Sequence, residues 1–243
     1  TIIDGKKIAS LIKEEIKNQV EEIISKGGRA PHLVAVLVGD DGASLTYVSN
    51  KVASCKQVGF KSSLITLPYE IEEKKLLGEI TRLNEDKEID GFIVQLPLPK
   101  HIDGDKVLLA INPKKDVDGF HPYTVGRLAQ RIPILSPCTP HGIMNLLKRC
   151  RVDVKGQHVV IVGASNHVGR PLALEMLLAG ATITVCHRLS RNLEDYVRQA
   201  DVLCVAVGKP NLIPGKWIKL GSVVVDIGIT RLADGNLAGD VEF

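Results

Sequence analysis

Tyr47 and Lys51 stand four residues apart in the stretch LTYVSNK. In a helical segment they share one face, each carrying a polar tip on an apolar stem. A half-exposed surface pair would look the same. Further on, GFIVQLPLP ends a strand-like run at Gln95, followed by two prolines that set the exit direction. Its amide can serve a reacting group or simply pair with loop backbone. The loop PKKDVDGF presents Asp116 and Asp118 ahead of a glycine, and Asp before Gly is also a common turn former. Taken one at a time, these residues do not identify a chemistry.

A second group lies in VVIVGASNHVGRPLALEMLLAG. A strand ends at Gly163, the chain runs through Ala164, Ser165 and Val168, and Gly169 opens an amphipathic helix. Backbone N–H groups and a helix N-terminus in this arrangement suit a pyrophosphate. Ser165 occupies the middle position of the usual three-glycine pattern, and a plain strand-turn-helix would also explain the stretch. The next strand ends in CHRLSR, where a site for NAD usually carries an acidic residue. Arg188, Ser190 and Arg191 suit a 2′-phosphate and favour NADP, with a solvated charged turn as the alternative. Gly208, Gly228 and Ile229 fall at the carboxyl ends of two later strands, where glycine lets a nicotinamide ring approach the backbone.

The elements that must hold these groups alternate. Asp4 caps a helix with apolar residues from Ile8 to Ile24, which Gly27-Gly28 stop. Then follow the buried-strand run LVAVLVG, a helix over 44–58, the strand SSLITL, a helix over 72–84 and the strand GFIVQL. Prolines crowd 97–140, which predicts functional loops and the approach to a domain boundary. Thr139-Pro140 predicts a cap and first turn for a helix to about Cys150. Alternation resumes with HVVIVG, a helix over 169–179, TITVC, a helix over 192–199, DVLCVAVG and SVVVDIG. The tail RLADGNLAGDV predicts a hairpin at Asp234-Gly235. Strict alternation points to an α/β fold with mostly parallel sheets. No internal repeat stands out.

The 243 residues suffice for one large or two modest domains. With 44% hydrophobic and 24% charged residues, the composition is that of a water-soluble globular protein. The net charge of +3, without long basic runs, argues against a nucleic-acid partner. Five scattered cysteines with no C-x-x-C spacing suggest neither disulfides nor a metal site, and point to a reducing compartment. With no signal pattern and no apolar run of membrane length, the expectation is a cytoplasmic protein without a membrane partner.

Six segments together resemble one family, the bifunctional methylenetetrahydrofolate dehydrogenase/cyclohydrolases. They are YVSNK (47–51), QLPLP (95–99), KDVDGF (115–120), PCTPHGI (137–143), GASNHVGRP (163–171) and VDIGI (225–229), in the family's order along the whole chain. The resemblance implies a folate-binding catalytic domain over 1–138, a Rossmann-like NADP-binding domain over 139–243, an active-site cleft between them, and a homodimer. It implies that Lys51 is the catalytic group, that Gln95 orients it, that Asp118 holds the pterin's amino-pyrimidine edge and that Tyr47 packs on the aminobenzoyl ring. Gly163, Ala164, Ser165, Val168, Gly169, Arg188, Ser190, Arg191, Gly208 and Ile229 are the candidate NADP contacts.

The chain departs from the family's pattern at Ala164, where an arginine is common. It also ends at GDVEF, where the family continues through a Pro/Gly-rich segment and a helix that returns to the first domain. Hydride transfer from 5,10-methylenetetrahydrofolate needs positioning more than a base. Hydrolysis of the methenyl product needs a proton carrier, hence a lysine whose pKa is lowered to roughly 7 to 8 by burial and a positive substrate. Two alternatives are a shikimate-dehydrogenase-like NADP oxidoreductase and a binding module that holds NADP or folate without turnover.

Overall fold

The computed structural model describes residues 2–242. The chain divides into two compact units, 1–124 and 125–243. Both are α/β with a parallel sheet, and each is built on its own core.

The first unit runs α1 (Gly5–Ser25), β1 (His32–Val38), α2 (Gly42–Gln57), β2 (Lys61–Leu67), α3 (Glu73–Glu85), β3 (Gly91–Val94) and α4 (Gly104–Ala110). Its sheet has the order β2-β1-β3. Alternate residues of a strand face opposite ways, so Val34, Val36 and Val38 meet Leu76, Ile80 and Leu83 of α3, while Ala35 and Ile93 meet Val48 of α2. Val48 is 1% exposed. Burying a valine is worth about 1.5 kcal/mol or more, and this contact, with Val52 one turn on, fixes the roll of α2. Tyr47 and Lys51 are thereby held on the flank next to the packed face.

The second unit contains most of α5 (Pro122–Ala129), then α6 (Cys138–Arg149), β4 (His158–Val162), α7 (Gly169–Leu178), β5 (Thr182–Cys186), α8 (Leu193–Val197), β6 (Val202–Val205) and β7 (Val223–Asp226). A short 3₁₀ turn covers Gly215–Trp217, and the hairpin of β8 (Thr230–Arg231) and β9 (Leu237–Ala238) follows. The order of the main sheet is β5-β4-β6-β7. Leu172 and Met176 of α7 and Leu147 of α6 pack on one face, and Val197, Ile213 and Val241 on the other.

The proline-rich stretch is more ordered than its sequence suggests, since it contains α4 and α5. The Asp103 carboxylate caps α4 by accepting from the N–H groups of Asp105 and Lys106, and Pro122 sits in the first turn of α5, where proline's missing N–H does no harm. α6 begins at Cys138 with Pro137 at its N-cap position, so Thr139 lies within the first turn and is not the cap.

The two units share an arrangement that the sequence conceals. In the first, His32 opens β1: its backbone N–H donates to Asp90, and its ring lies between the Glu88 carbonyl and Ser63 Oγ of β2. In the second, His158 opens β4: its N–H donates to Asp201, and its ring lies between the Gln199 carbonyl and Thr184 Oγ1 of β5. Each aspartate also pairs with a cation, Arg29 or Lys219. At the opposite sheet edge, Gly39 after β1 and Gly163 after β4 both have positive φ and donate to the end of the neighbouring strand. Among the described residues, no helix is long and apolar enough to cross a membrane.

Candidate active site and nucleotide cradle

In the first unit β1 is central, with β2 on one side and β3 on the other. The carboxyl ends of β1 and β3 therefore form a topological switch point, where open α/β sheets place ligands. Lys51 and Gln95 meet at this edge. Lys51 Nζ lies 3.5 Å from Gln95 Oε1 and 3.7 Å from Asp118 Oδ1. Gln95 Nε2 donates to the Leu96 carbonyl at 2.8 Å, which fixes the amide so that its oxygen faces the lysine. Its backbone N–H extends the ladder past the end of β3 by donating to Val36.

The two aspartates of PKKDVDGF have separate tasks. Asp116 is 2% exposed, and its carboxylate accepts from the N–H groups of Gly119 and His121, which closes the turn. Phe92 N–H donates to Lys115, so the 115–118 loop lies against β3. Gly91 permits this approach, because a Cβ there would overlap Val117. Asp118 is thus delivered to Lys51. The lysine and aspartate side chains are 36% and 23% exposed, so the pair is solvent-screened and adds little to stability. Tyr47 shares the helix and is half exposed.

In the second unit the switch point lies at the end of β4, flanked by β5 and β6. A cavity of about 660 Å³ opens there, lined by Gly163, Ala164, Ser165, Arg188 and Ser190 among others. A Cβ on Gly163 would overlap the Ala206 carbonyl, and one on Gly169 would overlap the Gly163 carbonyl. The two glycines let three backbone segments close on one another, a cradle suited to a pyrophosphate. Ser165 takes the place of a middle glycine by bonding: its Oγ accepts from the N–H of Val168 and, at 3.4 Å, of Gly169. Ser190 fixes the turn after β5 by accepting from His187 N–H, leaving Arg188 on the cavity wall.

Val168, Gly169, Arg191, Gly208 and Ile229 do not line this cavity, although Val207 and Lys209 on either side of Gly208 do. Arg170 also lines it and was not singled out from the sequence. Its guanidinium donates to the Ala164 carbonyl, bracing the loop that follows β4. A polar residue one place after the glycine that opens the helix was the available signal.

A parallel α/β unit with a glycine cradle and an arginine at its switch point defines a nucleotide-binding unit. The other α/β unit gathers a lysine, an amide and a carboxylate at the carboxyl edge of its own sheet. The chain belongs to the tetrahydrofolate dehydrogenase/cyclohydrolase family: residues 3–118 match its catalytic domain and 137–243 its NAD(P)-binding domain. Similar solved structures include the bifunctional FolD methylenetetrahydrofolate dehydrogenase/cyclohydrolase of Campylobacter jejuni, at 46% identity and a TM-score of 0.98, covering 100% of this chain and 86% of that one. Another is the Trypanosoma brucei dehydrogenase-cyclohydrolase complexed with NADP cofactor and inhibitor, at 36% identity and a TM-score of 0.95, covering 99% and 85%. The 5,10-methylenetetrahydrofolate dehydrogenase of the silkworm, Bombyx mori, is 40% identical with a TM-score of 0.94, covering 100% and 85%. Family membership removes the shikimate-dehydrogenase alternative.

Proposed function

We propose that this protein oxidises 5,10-methylenetetrahydrofolate with NADP and hydrolyses the methenyl product to 10-formyltetrahydrofolate. The observation that carries this is the meeting of Lys51, Gln95 and Asp118 at one sheet edge in a member of this family. Bound NADP would supply the hydride acceptor, held by the Gly163–Gly169 loop, with Arg188 and Ser190 toward the 2′-phosphate. In the hydrolysis Lys51 would move the proton of the attacking water, with Gln95 Oε1 directing the Nζ. Asp118 would accept from the amino-pyrimidine edge, and Tyr47 would lie against the aminobenzoyl ring.

The functional division we assign is a folate-binding catalytic part over 1–138 and an NADP-binding part over 139–243. The protein would act in the cytoplasm as a homodimer, without nucleic-acid or membrane partners. The compartment rests on the scattered cysteines, which have no paired spacing in the sequence, and the homodimer rests on the family resemblance.

The test is a coupled absorbance assay supplying 5,10-methylenetetrahydrofolate with NADP, then with NAD, and following methenyl formation and decay. NADP-dependent formation followed by enzyme-accelerated decay is expected. Binding of both ligands without turnover would favour the binding module instead.

A further inference from the structure

Asp240 is 0% exposed, and its carboxylate gathers three consecutive backbone N–H groups. Oδ2 accepts from Val207 at 2.6 Å and Gly208 at 3.0 Å, and Oδ1 from Lys209 at 2.7 Å. Gly208 has φ +73°, and a left-handed residue between two others turns successive N–H groups toward one point. Asp240 is itself held by a second carboxylate. Its backbone N–H donates to Asp226 Oδ1 and that of Val241 to Asp226 Oδ2, both at 3.0 Å. Two glycines leave room for the pair, since a Cβ on Gly228 would overlap the Asp240 carboxyl and one on Gly239 would overlap that of Asp226.

The loop so held is one wall of the cavity at the end of β4. Ala206, Val207 and Lys209 line it opposite the arginine turn, and the Ala206 carbonyl is the group against which Gly163 is packed. The cradle's width therefore depends on where residues 206–209 sit. The Ala206 N–H still donates to Val162 of β4, and the three N–H groups that follow, those of Val207, Gly208 and Lys209, are tied down by Asp240.

We propose that Asp240 is a positioning residue for the cofactor, acting through the Val207–Lys209 loop, with Asp226 setting Asp240 in turn. The inference rests on the reading that this cavity takes NADP. Asp240→Asn keeps the size of the side chain but turns one accepting oxygen into a donor facing an N–H, so at least one loop bond is lost. Leaving such a buried donor unmet corresponds to an affinity loss of about tenfold if the loop's displacement is felt by the ligand.

The experiment measures NADP affinity by calorimetry, the KM for each substrate, kcat and unliganded melting temperature for the wild type, Asp240→Asn and Asp226→Asn. A rise of about tenfold in NADP Kd and KM for Asp240→Asn, with folate KM and kcat at saturating NADP within about twofold of wild type, supports the proposal. A lowered melting temperature with unchanged NADP affinity overturns it and leaves Asp240 a purely structural group. Should Asp240→Asn fail to fold, Asp226→Asn decides: it keeps the Asp240 carboxylate and should raise the NADP Kd by about threefold or more, while unchanged affinity overturns the proposal. Wild-type protein that binds no NADP overturns both this inference and the cofactor reading beneath it.

Discussion

Replacing Arg188 by alanine takes a guanidinium from the wall of the cofactor cavity while leaving the turn that carries it intact, because that turn is tied by Ser190 and the His187 backbone. A hydrogen bond between charged partners contributes roughly 1.5–3 kcal/mol, a factor of about 10 to 100 in affinity. Arg188 is exposed, so water and salt screen it and the lower end applies: about tenfold weaker NADP binding. NAD lacks the 2′-phosphate, and its affinity should change by less than about twofold on the same grounds. Arg191 does not line the cavity, so Arg191→Ala should cost less. Calorimetric titration with both nucleotides at low salt, repeated in ~1 M salt where the Debye length is ~3 Å, separates the contributions. The NADP penalty should shrink at high salt. Equal losses for NADP and NAD, or none for either, would refute the assignment of the 2′-phosphate to this arginine.

Lys51→Met should slow methenyl hydrolysis by about a hundredfold or more with an unchanged melting temperature, and hydrolysis at the wild-type rate would remove Lys51 from the mechanism. Asp118→Asn should weaken folate binding and leave NADP binding intact, as separate titrations would show. Arg29, with help from the His32 N–H, holds the Asp90 carboxyl below the usual range. The unfolded chain then binds more protons, so this contribution is present above about pH 4 and is lost as pH falls through the depressed value. Asp90→Asn should flatten the acid limb of the melting temperature against pH, by a small amount because Asp90 is half exposed. An unchanged acid limb would count against this linkage. Burial pushes the Cys204 thiol up to about 12, so at pH 8 a maleimide should modify Cys138, which is exposed, and leave Cys204 untouched until the protein unfolds. Mass spectrometry of the labelled peptides checks this.

The alternation of elements was legible because buried parallel strands read as apolar runs and their helices keep a 3.6-residue period. The glycine loop was legible because its backbone approach forbids a Cβ at Gly163 and Gly169. α5 was missed because proline marks helix starts as well as loops, and α4 because Asp103-Gly104 reads as a turn as readily as a cap and first helical residue. The likeness of the two units was also missed. It lies in a histidine, a hydroxyl and an aspartate separated by dozens of residues, which only strand pairing brings together.

By itself the sequence determined which side chains were available: a lysine four residues from a tyrosine, a glutamine ahead of prolines, two aspartates in one loop, and arginines after a strand. Tertiary structure decided how they are used. Asp116 turns inward to close its loop and Asp118 faces Lys51, a choice made by Gly91, which lets that loop lie against β3. Asp240 and Asp226 looked like ordinary polar residues of a strand end and a tail. The fold makes them the supports of one cavity wall, because carboxylates enclosed among unpaired backbone N–H groups must bond to them, and which N–H groups lie within reach is a property of packing alone.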